Sequence, residues 1–190
     1  MRLGDVKRLV IGVVAMTLAV EAATTLVLLA RFWLGHGEPF CRALWLAAFH
    51  SVSAFNNAGF ALFSDSLVGY RTDAVLLVVV ALAVIVGGLG YPVWRQLAAA
   101  PRRPRSWDLH TKVTVLTTAG LLASGSLLFT WFEWSNPRTI GPLPIGHSVV
   151  NGFFQSAVAR TAGFASVDVG GLEDTSHLLG MILMFIGGGR

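Results

Sequence analysis

The sequence predicts an all-α polytopic membrane protein made of two copies of one unit. Each unit reads as a spanning helix, a short re-entrant hairpin and a second spanning helix. Three observations carry this prediction. Of 190 residues, 54% are hydrophobic and 13% charged, about half the charge of a soluble domain, and mean hydropathy is +0.67. Three runs, Leu9 to Ala30, Ala74 to Trp94 and Val113 to Phe132, hold a single charge between them, Glu21; each reaches the roughly 20 residues that a bilayer crossing needs. The chain also repeats itself, which is the feature to seek before local detail. A shift of 104 lays Leu9 on Val113 and "AFHSVSAFNNAGF" on "GFFQSAVARTAGF", pairing Phe49 with Phe153, Ala58 with Ala162, Gly59 with Gly163 and Phe60 with Phe164. A shift of 100 then sets "VGGLG" over "IGGGR".

The first span follows Arg2, Lys7 and Arg8, and it is longer than the 7 to 15 residues of a secretory core, so it reads as a helix that stays. Phe40 to Phe55 is too short to cross, about 24 Å if helical. It ends in Asn56, Asn57 and Gly59, which need water or a partner. Non-helical chain at membrane depth must be buried in protein or line a cavity, so this stretch predicts a helix that descends partway, turns at Gly59 and climbs back through Asp65. The second span follows, and "GGLG" (Gly87 to Gly90) with Pro92 loosens its inner end or packs it closely against a neighbour. A basic loop, 100–112, carries Arg102, Arg103, Arg105 and Lys112. The second copy repeats the design: a span from Val113, a hairpin from His147 to Ala159, Gly163 and Asp168, then a helix reaching Arg190. The units are therefore 1–99 and 113–190.

The basic residues ahead of the first span and in the loop fall on one side, which the excess of Lys and Arg marks as cytoplasmic. Asp65, Asp73, Glu133, Asp168, Glu173 and Asp174 fall on the other, and both hairpins enter from there. The basic loop thus reads as an orientation signal and not as a nucleic-acid site. Cys41 is the only cysteine, so there is no internal disulfide and no cysteine-based metal site. His50 and Ser51 lack an acid nearby and a nucleophile elbow; the chain does not read as an enzyme. Glu21, inside a span, invites either a functional role or a structural pairing with a neighbouring repeat.

"FHSVSAFNNAGFALF", "FQSAVARTAGFASVDVGGL", "GGLGYPVW" and "MFIGGGR" together resemble the Trk/Ktr/HKT superfamily of potassium-translocating subunits. Proteins of that family carry four M1–pore-loop–M2 repeats, pseudo-fourfold around one ion path. The resemblance implies that this chain matches the second repeat and most of the third, a fragment that lacks the first and fourth. It implies potassium passing a filter of backbone carbonyls at Asn57, Ala58 and Gly59 in one loop and Thr161, Ala162 and Gly163 in the other. Asn56, Phe60, Arg160 and Phe164 would support the filter, and Gly187, Gly188 and Gly189 would begin an intramembrane gate loop. It further implies K+ as the transported ion with no organic cofactor, a cytoplasmic nucleotide-binding regulatory subunit, a homodimer when complete, and a place in the cell membrane. Only the central glycine of a T-V-G-Y-G signature persists, so potassium over sodium is left open. A secondary transporter whose hairpins bind another cation, or a non-conducting scaffold, are the competing readings.

Overall fold

The computed structural model describes residues 3–101, 103–160 and 162–187, and these are helices and turns without a strand. The chain runs as α1 (Leu3–Ala30) with a wide π-type turn at Arg31–Gly35, α2 (Phe40–Phe55), α3 (Ala74–Leu89), α4 (Tyr91–Ala99), α5 (Leu109–Glu133), α6 (Ile145–Ala159) and α7 (Asp174–Gly187). Single 3-10 turns at Val68–Tyr70 and Val169–Gly171 precede α3 and α7. The helices recur at the offsets of the sequence repeat. Helix α2 shifted by 104 falls on α6, and α3 shifted by 100 starts where α7 starts.

Helices α1, prolonged to Gly35, and α5 are long and apolar enough to cross a bilayer. The second apolar run, expected to reach Trp94 with its inner end loosened or closely packed at Gly87 to Gly90 and Pro92, is broken there. It stops at Leu89, and α4 leaves at 97°. Gly90 makes the corner at φ 78°, ψ 151°, a conformation that a Cβ would oppose. Pro92 has no N–H to continue the ladder, and Trp94 Nε1 donates instead to the Val86 carbonyl at 2.8 Å. Taken together, α3 and α4 have the length and apolarity of one span broken at Gly90.

Helix α3 is buried on several faces through Leu76, Leu77, Val80, Ala81, Ala83 and Val84. It packs against both α2 and α6 and so joins the two copies. Most side chains of α1 and α5 are exposed, among them Leu26, Leu116 and Trp131, a surface suited to lipid or further protein. Lipid tails give helices no hydrophobic reason to associate, so close approach through small residues does it. A Cβ on Gly152 of α6 would strike Thr130 and lie 3.1 Å from the Ser126 carbonyl of α5. Ser156 Oγ donates to the α5 carbonyls of Leu121 and Leu122.

Candidate functional site

Both short helices end in the same irregular device. After Phe55 the amides of Asn56, Asn57 and Ala58 still point back, to the carbonyls of Val52, Ala54 and Ser53. Asn57 then takes φ 53° and Gly59 φ 72°. In the second copy the amides of Ala162 and Gly163 reach back to Val158, and Gly163 has φ 75°. Asn and Gly are the residues that tolerate this left-handed region.

The two tips touch. A Cβ on Gly59 would overlap the Ala162 carbonyl and come within 3.0 Å of Gly163 Cα, while one on Gly163 would be 3.8 Å from Gly59 Cα. Their return limbs are also bonded to each other: Leu67 N–H donates to the Ala165 carbonyl at 2.9 Å, and Ala165 N–H donates to Ser66 Oγ at 3.0 Å. Neither pairing has a local signal in the sequence, since the partners lie about a hundred residues apart.

The limb after Gly59 is braced onto α2. Ser53 Oγ donates to the Phe60 carbonyl at 2.8 Å. His50, 1% exposed, lies 2.7 Å through Nδ1 from the Leu46 carbonyl, so that nitrogen carries the proton and Nε2 accepts from Leu62 N–H at 3.4 Å. Its ring stacks on Phe63 at 5.2 Å. Asn56 Nδ2 donates to Glu21 and to the Val52 carbonyl. Arg160 is buried, and its Nη2 donates to Thr118 Oγ1 at 3.2 Å. Gly87 lies against the Phe55 carbonyl at the end of α2, and Gly187, last residue of α7, lies against Arg160 at the end of α6. Both α3 and α7 thus approach the end of the short helix of their own copy through a glycine.

The structure brings together Asn57, Ala58, Gly59, Ala162 and Gly163, while Thr161, Gly188 and Gly189 lie outside the described residues. The supporting aromatics differ. Phe164 is 3% exposed, with His50 of the first unit 6.4 Å away, whereas Phe60 is 71% exposed.

Each copy also holds an acid that ties the end of its long helix to the start of its last helix, Asp73 in the first and Glu133 in the second. Asp73 caps α3 and receives Arg31, His36 and the Leu76 amide. Glu133, 2% exposed at the end of α5, receives Asn136, Thr139, Ser176 and the Glu173 amide. The sequence presents both only as outer acids, although an Asp directly before an apolar run is a helix-start signal. Among the described residues no cluster of His, Cys, Asp or Glu could hold a metal ion.

The family model for a cation transport protein, TrkH, matches residues 1–190. The chain is 39% identical over 186 residues to the Ktr system potassium uptake protein B of Vibrio alginolyticus, covering 97% of this chain and 40% of that protein. It is 35% identical over 187 residues to the protein of the same name from Bacillus subtilis, covering 98% of this chain and 41% of that one. The potassium/sodium uptake protein NtpJ of Enterococcus hirae is 39% identical over 149 residues, 78% of this chain and 33% of that protein. The chain spans about two fifths of the length of the first two relatives.

Proposed function

The chain belongs to the TrkH family of cation transport proteins, and from that premise we propose that its two hairpins are neighbouring parts of a potassium filter. One observation carries the proposal: two glycines of positive φ, at equivalent places in two copies of one unit, meet backbone to backbone at the hairpin tips. Left-handed glycines let successive carbonyls turn towards one line, which is how a filter replaces the hydration shell of potassium. Asn57, Ala58 and Gly59 supply oxygens from the first loop, and Thr161, Ala162 and Gly163 from the second. Asn56, Arg160 and Phe164 hold the tips from behind. Phe60, the counterpart of Phe164, supports the tip from an exposed position. Gly187 to Gly189 begin the gate loop.

Transport of potassium is supported by the names of the relatives, and the family is one of transporters, not enzymes. The relatives named for a Ktr system support a regulatory partner, which we take to be a cytoplasmic nucleotide-binding subunit, with a homodimer as the complete assembly. The Enterococcus relative is named for sodium as well, so the ion ratio is part of the test.

The test uses a chimera in which this sequence replaces the matching segment of the Vibrio protein, assayed for potassium and sodium uptake in cells deficient in both. Gly59→Ala combines backbone strain of about 1–3 kcal/mol with a clash against Ala162; Gly163→Ala carries the strain with room to spare. Each factor of ten corresponds to about 1.4 kcal/mol. We expect Gly163→Ala to lower the potassium-to-sodium ratio roughly tenfold and Gly59→Ala to lower it further or abolish uptake. Both variants keeping the parent ratio would remove the filter assignment.

A further inference from the structure

Glu21 lies within the spanning helix α1, where an ionised side chain is costly and marks a function by default. Two bonds fix it against α2. Its backbone carbonyl accepts from Ser51 Oγ at 2.8 Å, and its Oε1 accepts from Asn56 Nδ2 at 3.1 Å. The carboxylate is thereby held on the residue that directly precedes Asn57 in the first loop tip. Ion pairs among the described residues join Arg31 and His36 to Asp73 and Arg42 to Glu38; none neutralises Glu21. Asn56 Nδ2 donates to Val52 as well as to Glu21, so the negative end of its amide faces away from those two acceptors. The second copy differs. At the offset of 104, Glu21 falls on Gly125 and Asn56 on Arg160, so a fixed negative charge stands behind the first tip only.

We propose that Glu21 is a charge-bearing positioning residue that, held by Asn56, raises cation occupancy at the first filter loop and so sets apparent affinity for the transported ion. The inference rests on the filter reading. The Glu21–Asn56 pair lies on the exposed side of the loop tip among the described residues, and even in water a fixed charge acts on cations within about 8–10 Å at physiological salt. A neutral hydrogen-bonding brace would need no carboxylate there; glutamine would serve.

The experiment measures rubidium uptake kinetics in the chimera. Glu21→Gln keeps an acceptor for Asn56 and removes the charge. KM should rise about tenfold, the lower end of what focused charge does to local ion concentration, with Vmax within about twofold. The pair E21Q/N56D moves the carboxylate to the loop and keeps the bond, and its KM should return to within about threefold of the parent. An unchanged KM in E21Q, or a raised KM in the pair, overturns the proposal. Should immunoblotting show E21Q missing from the membrane, the pair decides alone by the same criterion. Gly59→Ala run alongside separates the two readings. Lost selectivity there with a silent E21Q sinks only the role of Glu21, while selectivity retained in both Gly59→Ala and Gly163→Ala sinks the filter.

Discussion

Asp73 shows how a residue that the sequence presents as a loop acid becomes a structural clamp. Burial pushes its carboxyl up, but hydrogen bonds from Arg31, His36 and the Leu76 amide outweigh that and hold it below the usual 3.8. A carboxylate lowered in the folded state adds stability at pH above its unfolded value. That contribution fades as pH falls from about 3.8 through the lower folded value. We expect Asp73→Asn to destabilise the chain in detergent by about 1–3 kcal/mol at pH 7, and the difference from the parent to vanish in acid thermal melts. A constant difference at all pH values would mean that the charge of Asp73 is not what holds α1 to α3. At this scale the glycines of the tips were legible, because Gly59 and Gly163 stand at matched places in the two copies and both take left-handed backbone. The clamps were not, because Arg31 and Asp73, or Glu133 and Ser176, meet across 42 and 43 residues. Such distances leave no periodicity to read.

At the level of elements, the repeat made most of the fold readable: α1 with α5, α2 with α6, and α3 with α7 follow its two offsets. The α3–α4 corner was only half legible. The glycines and Pro92 signalled a weak point, yet hydropathy runs through Gly90 unbroken, so composition alone extends the helix to Trp94. What turns the chain is backbone geometry at one residue, with Trp94 taking the carbonyl released at Val86. Beyond the corner Tyr91 packs onto α1, where a Cβ on Gly12 would run into its ring. Gly90→Ala should therefore cost about 1–3 kcal/mol and widen the 97° corner. Spin labels on α3 and α4, in a Cys41→Ser background, would report the change as a longer and broader distance distribution. A melting temperature and distance equal to the parent's would show that the corner is set by packing alone.

For the whole molecule, orientation follows from charge. Lys7 and Arg8 at the start of α1 and Arg95, Arg103, Arg105 and Lys112 around the α4–α5 connection lie towards one end. Glu38, Asp65, Asp73, Asp168 and Glu173 lie towards the other, where both hairpins begin and return. Excess basic residues keep a loop in the cytoplasm, so the hairpins are proposed to open outward. Cys41 is exposed in the first turn of α2, beside the Arg42–Glu38 ion pair, and the proposed orientation would put it at the outer face of the membrane. Because it is the only cysteine, no background has to be engineered away. A membrane-impermeant maleimide added to intact cells expressing the 190-residue chain should label it as fully as after permeabilisation. Labelling that appears only once the membrane is opened would invert the molecule. The re-entrant tips would then be reached from the cytoplasm, and the proposed direction of entry into the filter would be wrong.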